Sequence, residues 1–306
     1  MNKLSTIEAL ASTSKPIDCN LCGGSKRRHL FTKHGYELVE CADCALVYVG
    51  NPPNTHALHK TYSADADYHS ELLDPDSAST LRQTAIARRH AAILRRIVRD
   101  GEGLRLLDIG CSAGFFLDEA RKAGFAVEGV ELSPDTAAFA RDHFGLTVHT
   151  GTLDAAPLAD SSFDVATLFD VIEHVPDPLG ELHRIRRLLK PGGIVLQATP
   201  NIDGLFPRLS HKLANRLDYW PHPEPPHHLF QFSTRTLGRM LEKAGFEPIR
   251  TWQTRIDLDY SFGTLGSWKA SPKLLAYAAL FAPTAILGPW IGRGDNLYIA
   301  ARKPAD

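Results

Sequence analysis

RLLDIGCSAGFF, residues Arg105–Phe116, sets an aspartate and two glycines at the end of a greasy run. Leu104, Leu106, Leu107 and Ile109 read as a strand buried on both faces. Gly110-Cys111-Ser112-Ala113-Gly114 follows as a tight turn of small residues. Phe115, Phe116, Leu117 and Ala120 then take helical spacing. A strand, a bare turn and a helix make a place where a ligand can touch backbone, although an ordinary strand-to-helix turn has the same glycines.

Outward from this stretch, strands and helices alternate. Thr80–Arg99 carries Ile86, Ile93, Leu94, Ile97 and Val98 at amphipathic-helix spacing, and Gly101 and Gly103 end it. After the glycine turn come a helix near Phe115–Ala123, a strand Ala126–Glu131, a helix Pro134–Phe144 and a short strand Leu146–Thr150. A strand Phe163–Phe169, a helix ending at Leu189 and a strand Ile194–Ala198 complete the series. Such alternation predicts a parallel sheet covered on both sides, with ligands beyond the carboxyl ends of its strands.

The whole chain has 306 residues, 43% of them hydrophobic and 23% charged, as in a soluble globular protein. A net charge of −1 offers no global attraction to a polyanion. Arg88-Arg89 and Arg184, Arg186 and Arg187 fall on helical patterns and read as solvated faces. No apolar secretory core precedes Cys19, which leads to the expectation of a cytoplasmic protein.

Cys19-x2-Cys22 and Cys41-x2-Cys44 are 18 residues apart, within the zinc-ribbon range. Four thiolates at tetrahedral corners leave no room for water, so the expected zinc is structural. Two disulfides are the alternative, disfavoured in a reducing cytoplasm. Cys111, the fifth cysteine, reads as a small packing residue of the glycine turn. Asn51-Pro52-Pro53 reads as a linker, giving a ribbon over residues 1–50 and a larger domain over 51–306. Loss of one thiolate is expected to unfold the ribbon alone.

Glu131 ends the second strand in VEGVELSP and can accept both hydroxyls of a ribose. The first turn lacks the G-x-G-x-x-G of a dinucleotide site, and no Lys-Ser/Thr pair follows it, so a ribose without a gripped phosphate is indicated. LLDIGCSAGFF, VEGVELSP, SSFDVATLFDVIEHVPDP and LLKPGGIVLQATPN, in that order, resemble the motifs of class I S-adenosylmethionine-dependent methyltransferases. The likeness covers about residues 55–255 and the final strand. It implies a Rossmann-like α/β fold, doubly wound on a mostly parallel seven-stranded sheet, with an α-helical C-terminal lid and cap segments at about 205–232 and 256–292. It implies S-adenosyl-L-methionine as cofactor, with Asp108, Gly110, Cys111, Ser112 and Gly114 at its methionine end. Glu131, with Leu132 beside it, would take the ribose hydroxyls. Thr152 and Leu153 would lie by the adenine, and Asp170 near the amino-acid portion. Ser112 replaces a glycine common in the family. Thr152 replaces an aspartate, for which Asp154 or backbone groups would have to substitute.

Methyl transfer needs positioning above all, and a base only for a protonated acceptor. Glu173-His174 resembles a pair in ubiquinone-pathway O-methyltransferases, where an acidic cluster can hold a divalent ion; a loop-organising pair is the competing reading. In DYWPHPEPPHHLFQFS, prolines stiffen a loop carrying His222, His227 and His228. His227 or His228 is the candidate general base, with His174 the other histidine near a strand end. His222, Glu224, His227 and His228 as metal ligands are a remoter option.

Leu274–Gly292 is an uncharged stretch flanked by Trp268, Lys269, Lys273, Trp290 and Arg293. NLYIAARK after it reads as the last strand of the same sheet, so a transmembrane span is rejected. Two short helices broken near Pro283 are expected, either covering the crevice or lying on a membrane surface. Either implies an apolar or lipid-linked small-molecule acceptor and leaves peripheral membrane contact open. An RNA methyltransferase gripping RNA with the ribbon is the second reading, though near-neutral charge and few ribbon aromatics oppose it. A non-catalytic cofactor-binding protein is the third.

Overall fold

The computed structural model describes residues 15–54, 58, 77–217 and 225–305. The chain enters through three antiparallel strands, β1 (Arg27–Lys33), β2 (Tyr36–Cys41) and β3 (Val47–Val49). His34 and Gly35 join the first two with φ of 53° and 81°, the left-handed pair that a two-residue hairpin needs to match strand twist.

Helix α1 (Ala78–Ile97) follows, its first turn capped by Ser77, whose hydroxyl accepts the Thr80 amide at 3.0 Å. Then come β4 (Arg105–Ile109), α2 (Phe115–Lys122), β5 (Ala126–Glu131), α3 (Pro134–Phe144), β6 (Val148–Thr150), β7 (Phe163–Phe169) and α4 (Pro178–Leu188). Strand β8 (Leu189–Pro200) begins earlier than the apolar run indicates, because Lys190–Gly193 is itself drawn into the extended strand. Next are α5 (Leu205–Leu217), β9 (Phe230–Gln231), α6 (Thr234–Lys243) and β10 (Glu247–Thr254). Three helices, α7 (Leu258–Phe262), α8 (Leu265–Ala270) and α9 (Pro272–Leu287), precede the last strand, β11 (Asn296–Arg302).

Seven strands form the central sheet in the order β10-β11-β8-β7-β4-β5-β6. The pairings from β8 through β6 are parallel, and β11 is antiparallel to both neighbours. This is the doubly wound, mostly parallel architecture expected from the sequence. Alternate residues serve the two faces: Leu107 and Ile109 pack with α4 and α6, and Leu106 packs with α1, α2 and α3.

The four-cysteine ribbon is not a separate bead. Strand β3 pairs with β9, placing Val47 opposite Gln231 and Tyr48 opposite Phe230, so a four-stranded sheet β1-β2-β3-β9 crosses from the ribbon into the larger body. Cys19, Cys41, Cys44, Leu46 and Tyr48 belong to the same buried cluster as Leu168, Phe230 and Leu237. Lys243 also donates to the Leu21 carbonyl at 2.7 Å, and the Leu179 amide donates to Asn20 at 3.0 Å.

Residues 255–295 form an insertion at the carboxyl end of the parallel strands, since β10 and β11 meet there in the pair Thr254 and Asn296. The expected break near Pro283 is absent: α9 runs through the proline and ends at Gly288 in a 3-10 turn, Gly288–Ile291. A proline inside a helix loses one hydrogen bond at a cost of about 3 kcal/mol. Here Ala278, Phe281 and Ala285 are buried along one side of α9 and hold it against Phe206 and Phe262. The chain reverses instead at Gly292, whose φ of 67° is left-handed.

Candidate functional site

The turn after β4 has three left-handed residues in five: Gly110 (φ 71°), Ser112 (φ 49°) and Gly114 (φ 84°). The left-handed region costs a residue with a Cβ about 1–2 kcal/mol. At Ser112 this is offset by its amide, which donates to Glu131 Oε2 at 2.8 Å. Oε1 of the same carboxylate accepts the Ser133 amide at 2.7 Å. Glu131 thus ties the turn after β4 to the turn after β5. Each oxygen keeps a further lone-pair site, and the side chain is only half-buried. Two acceptor oxygens so placed fit a pair of donating ribose hydroxyls.

The bareness of the turn has causes inside the protein. A Cβ on Gly110 would lie 2.6 Å from Val171, and one on Gly114 would lie 2.8 Å from Leu146 and 2.9 Å from Ala140. Cys111 is buried beneath the turn, where a Cβ on Gly129 would come within 2.6 Å of its sulfur. It is the packing residue its spacing indicates.

Asp108 does not bond the turn's amides. It is 4% exposed and accepts the Thr167 hydroxyl of β7 at 2.6 Å. Burial, reinforced by the nearby Glu131 charge, pushes its carboxyl up to about 7 against the Thr167 hydrogen bond. Asp170, one residue past β7, takes a left-handed φ of 55° and donates its amide to the Ala198 carbonyl at 2.9 Å. Burial raises it to about 6, and Arg89 and Arg82 on α1 oppose the rise. These two arginines, which sequence patterning assigns no function, bring positive charge to the carboxyl end of β7. Beside Arg89, His90 is buried, stacks on Phe169 at 4.0 Å and meets the Tyr298 hydroxyl at 3.1 Å. Burial, with the Arg89 charge, lowers it to about 3, so it stays neutral.

The loop after β7 is joined to the loop before β9. The Glu173 carbonyl accepts the amides of Leu229 and Phe230 at 2.8 and 3.1 Å. Its side chain is 1% exposed; Thr199 donates to Oε2 at 2.9 Å, and Oε1 has no partner among the described residues. Burial, helped by the charge on Asp170, holds this carboxyl well above the ordinary range. His174 Nδ1 donates to the His227 carbonyl at 2.9 Å, which makes Nε2 the basic nitrogen. Burial lowers His174 to about 4. The His228 ring meets it edge-on at 4.7 Å. Glu173, His174 and His228 each present a ligand atom, and the three atoms lie within 4.8 Å of one another. The loop-organising reading therefore has direct hydrogen bonds behind it, and a carboxylate with two imidazoles also suits a divalent ion.

The ribbon cysteines come together as their spacing requires. Their four sulfurs lie within 4.8 Å of one another, Cys19 to Cys44 at 3.4 Å and Cys22 to Cys41 at 3.5 Å, with no disulfide. The two turns repeat one another. The amides of Leu21 and Cys22 bond the Cys19 sulfur, and those of Asp43 and Cys44 bond the Cys41 sulfur. Each turn closes on a left-handed residue, Gly23 (φ 77°) and Ala45 (φ 63°). Four thiolates with amide donors behind them fit a tetrahedral zinc.

The structure thus brings Asp108, the 110–114 turn, Glu131 and Asp170 to one end of the sheet. Glu173, His174 and His228 gather beside them, while His227 enters through its carbonyl. Leu132 is half-buried next to Glu131; Thr152 is exposed, and Leu153 points into the core. Asp154, the substitute acid for the adenine, bonds Arg184 at 2.6 Å instead. His222 and Glu224 lie outside the described residues.

A family model described as a methyltransferase domain matches residues 79–251, more than half of the chain. The ubiquinone biosynthesis O-methyltransferase of Cereibacter sphaeroides strain ATCC 17029 is 35% identical over 154 residues, 48% of this chain and 62% of the relative. The enzyme of the same name from Methylococcus capsulatus is 40% identical over 105 residues, 32% of this chain and 44% of the relative. The chain therefore spans less than two thirds of the length of these relatives. Among solved structures, Haemonchus contortus phosphoethanolamine N-methyltransferase 2 in complex with S-adenosyl-L-methionine shares the fold. Its TM-score is 0.53 at 21% identity, covering 84% of this chain and 62% of that one.

Proposed function

The chain belongs to the methyltransferase-domain family, and from that premise we propose that it transfers a methyl group from S-adenosyl-L-methionine to a small, apolar or lipid-linked acceptor. The observation that carries the reading is the half-buried Glu131 carboxylate, fixed by the Ser112 and Ser133 amides beside a left-handed glycine turn. S-adenosylmethionine supplies an electrophilic methyl on a sulfonium centre. Glu131, with Leu132 beside it, would hold its ribose hydroxyls, the 110–114 turn and Asp170 would border its methionine end, and Thr152 and the backbone of Leu153 would border its adenine.

His174 is the side chain best prepared to take a proton from an acceptor hydroxyl. Its Nδ1 hydrogen is committed to the His227 carbonyl, so the ring is held in one tautomer with Nε2 basic. His228 packs on this ring and serves as the alternative base. A second reading gives Glu173, His174 and His228 a divalent ion that orients the acceptor, on the strength of their three clustered ligand atoms. The relatives named for ubiquinone biosynthesis support a lipid-linked acceptor.

Cys19, Cys22, Cys41 and Cys44 would hold one structural zinc. The methyltransferase fold and the relatives named for ubiquinone biosynthesis support a cytoplasmic location. We divide the chain into a ribbon over residues 1–50 and a methyltransferase domain over 51–306, with caps near 205–232 and 256–292.

The test is transfer of labelled methyl from S-adenosylmethionine into a lipid-and-metabolite extract, with and without chelator, and mass identification of the product. Label in an organic-soluble product supports the reading. Cofactor binding without any labelled product would leave the non-catalytic alternative standing.

A further inference from the structure

The insertion turns a long apolar surface outward. One side of α9 is packed through Ala278, Phe281 and Ala285. On the other side Leu280 (56% exposed), Leu287 (57%) and Ile291 (62%) recur at i, i+7 and i+11, with Ile286 and Trp290 (87%) beside them. A solvent-facing helix side is ordinarily polar, and a continuous exposed apolar surface marks an interaction site. This segment also lies beyond the family match at 79–251.

Charge identifies the occupant. From Tyr260 to Gly292 the chain has no acidic residue, while Lys269 and Lys273 precede the stripe and the exposed Arg293 follows it. A second copy of the chain would bring these cations against one another, with no acid on the stripe to pair with them. An anionic lipid surface complements both features: apolar side chains enter the acyl boundary and the cations meet the headgroups. Pro272–Ile291 is long and apolar enough to cross a bilayer. Its flanks, however, are the adjacent strands β10 and β11, paired at Thr254 and Asn296, and a single crossing would put them on opposite sides.

We propose that the exposed face of α9 and the following turn docks the protein on an anionic membrane surface, lying in the interface plane. The carboxyl end of the sheet, where the insertion is rooted, then faces the bilayer. The docking stands without the methyl-transfer reading and is tested by binding alone.

The experiment is cosedimentation of the full chain with phosphatidylcholine vesicles, plain or containing about one quarter phosphatidylglycerol. Wild type is expected to bind the anionic vesicles and to be released by high salt. Replacing Leu280, Leu287 and Trp290 by Ser should weaken binding by about tenfold or more. All three are exposed, so an unchanged melting curve checks the fold. Lys269→Glu with Lys273→Glu should remove the preference for anionic vesicles. Equal binding by wild type and the triple-Ser variant would overturn the proposal. So would absence of binding at low salt, with or without a dimer that the triple-Ser variant dissolves.

Discussion

Tyr48 of the ribbon and Phe230 of the loop before α6 stand opposite one another across an antiparallel strand pair, their rings stacked at 6.4 Å. One residue earlier, the Leu229 carbonyl accepts the Val49 amide at 2.8 Å, while the Leu229 amide reaches the Glu173 carbonyl at the same distance. The ribbon and the candidate active-site loop are therefore two bonds apart.

Replacing one ribbon thiolate, as in Cys44→Ser, should consequently disturb more than the ribbon. Metal analysis should fall below about half an equivalent per chain. Hydrogen exchange at the Leu229 and Phe230 amides should accelerate together with that of β2 and β3. Retained protection at these two amides in a metal-free variant would restore the simpler expectation of an independent ribbon.

Glu131→Ala should weaken S-adenosylmethionine binding by about 2–4 kcal/mol, through the loss of two charge-assisted bonds. Glu131→Gln keeps an acceptor for one turn amide and should fall between the two. Calorimetry on the folded variants measures this. An unchanged affinity would place the ribose elsewhere.

Asp108 predicts a pH dependence of stability. Its carboxyl rises from 3.8 to about 7 on folding, so the folded chain keeps a proton that the unfolded chain has released. The stability tied to the neutral acid is fully present below about 4 and is lost as pH rises through about 7. Asp108→Asn retains an acceptor for Thr167 without the charge. Thermal melts should show the variant gaining on wild type as pH rises through this window, and parallel curves would contradict the assignment.

If His174 is the base, His174→Ala should lower kcat by about 10²–10⁴-fold while leaving S-adenosylmethionine affinity unchanged. Steady-state kinetics paired with calorimetry separates this from a loop-organising role, for which KM would move with the exchange rate of Leu229. His228→Ala should have the smaller effect, unless His228 is the base.

The elements that carry Glu131 and the 110–114 turn were legible because each carries a local signal. The Leu106–Ile109 run, Gly110 and Gly114, and Ser133-Pro134 at a helix start state their geometry within a few residues. Even Ser112, a departure from the family pattern, keeps the left-handed turn because Glu131 takes its amide. Long-range contacts had no such signal. Phe230–Gln231 is too short to announce a strand, and only its partner Val47–Tyr48, far away in the chain, makes it one. Arg89 reads as a solvated helix residue, and Arg82 carries no signal at all, until α1 packs beside Asp170. Pro283 signals a break locally, and the contacts of Phe281 and Ala285 override it.

The pairing of Thr254 with Asn296 has a consequence for descent as well as for architecture. Residues 255–295 leave and re-enter the sheet at one point, so a short hairpin could replace all of them without shifting the register of β10 and β11. A cassette rooted this way can be lost, lengthened or exchanged between lineages while Glu131 and the 110–114 turn stay as they are. Change within this block then reaches the candidate site chiefly through Asp257, which holds Arg82 of α1 at 3.0 Å.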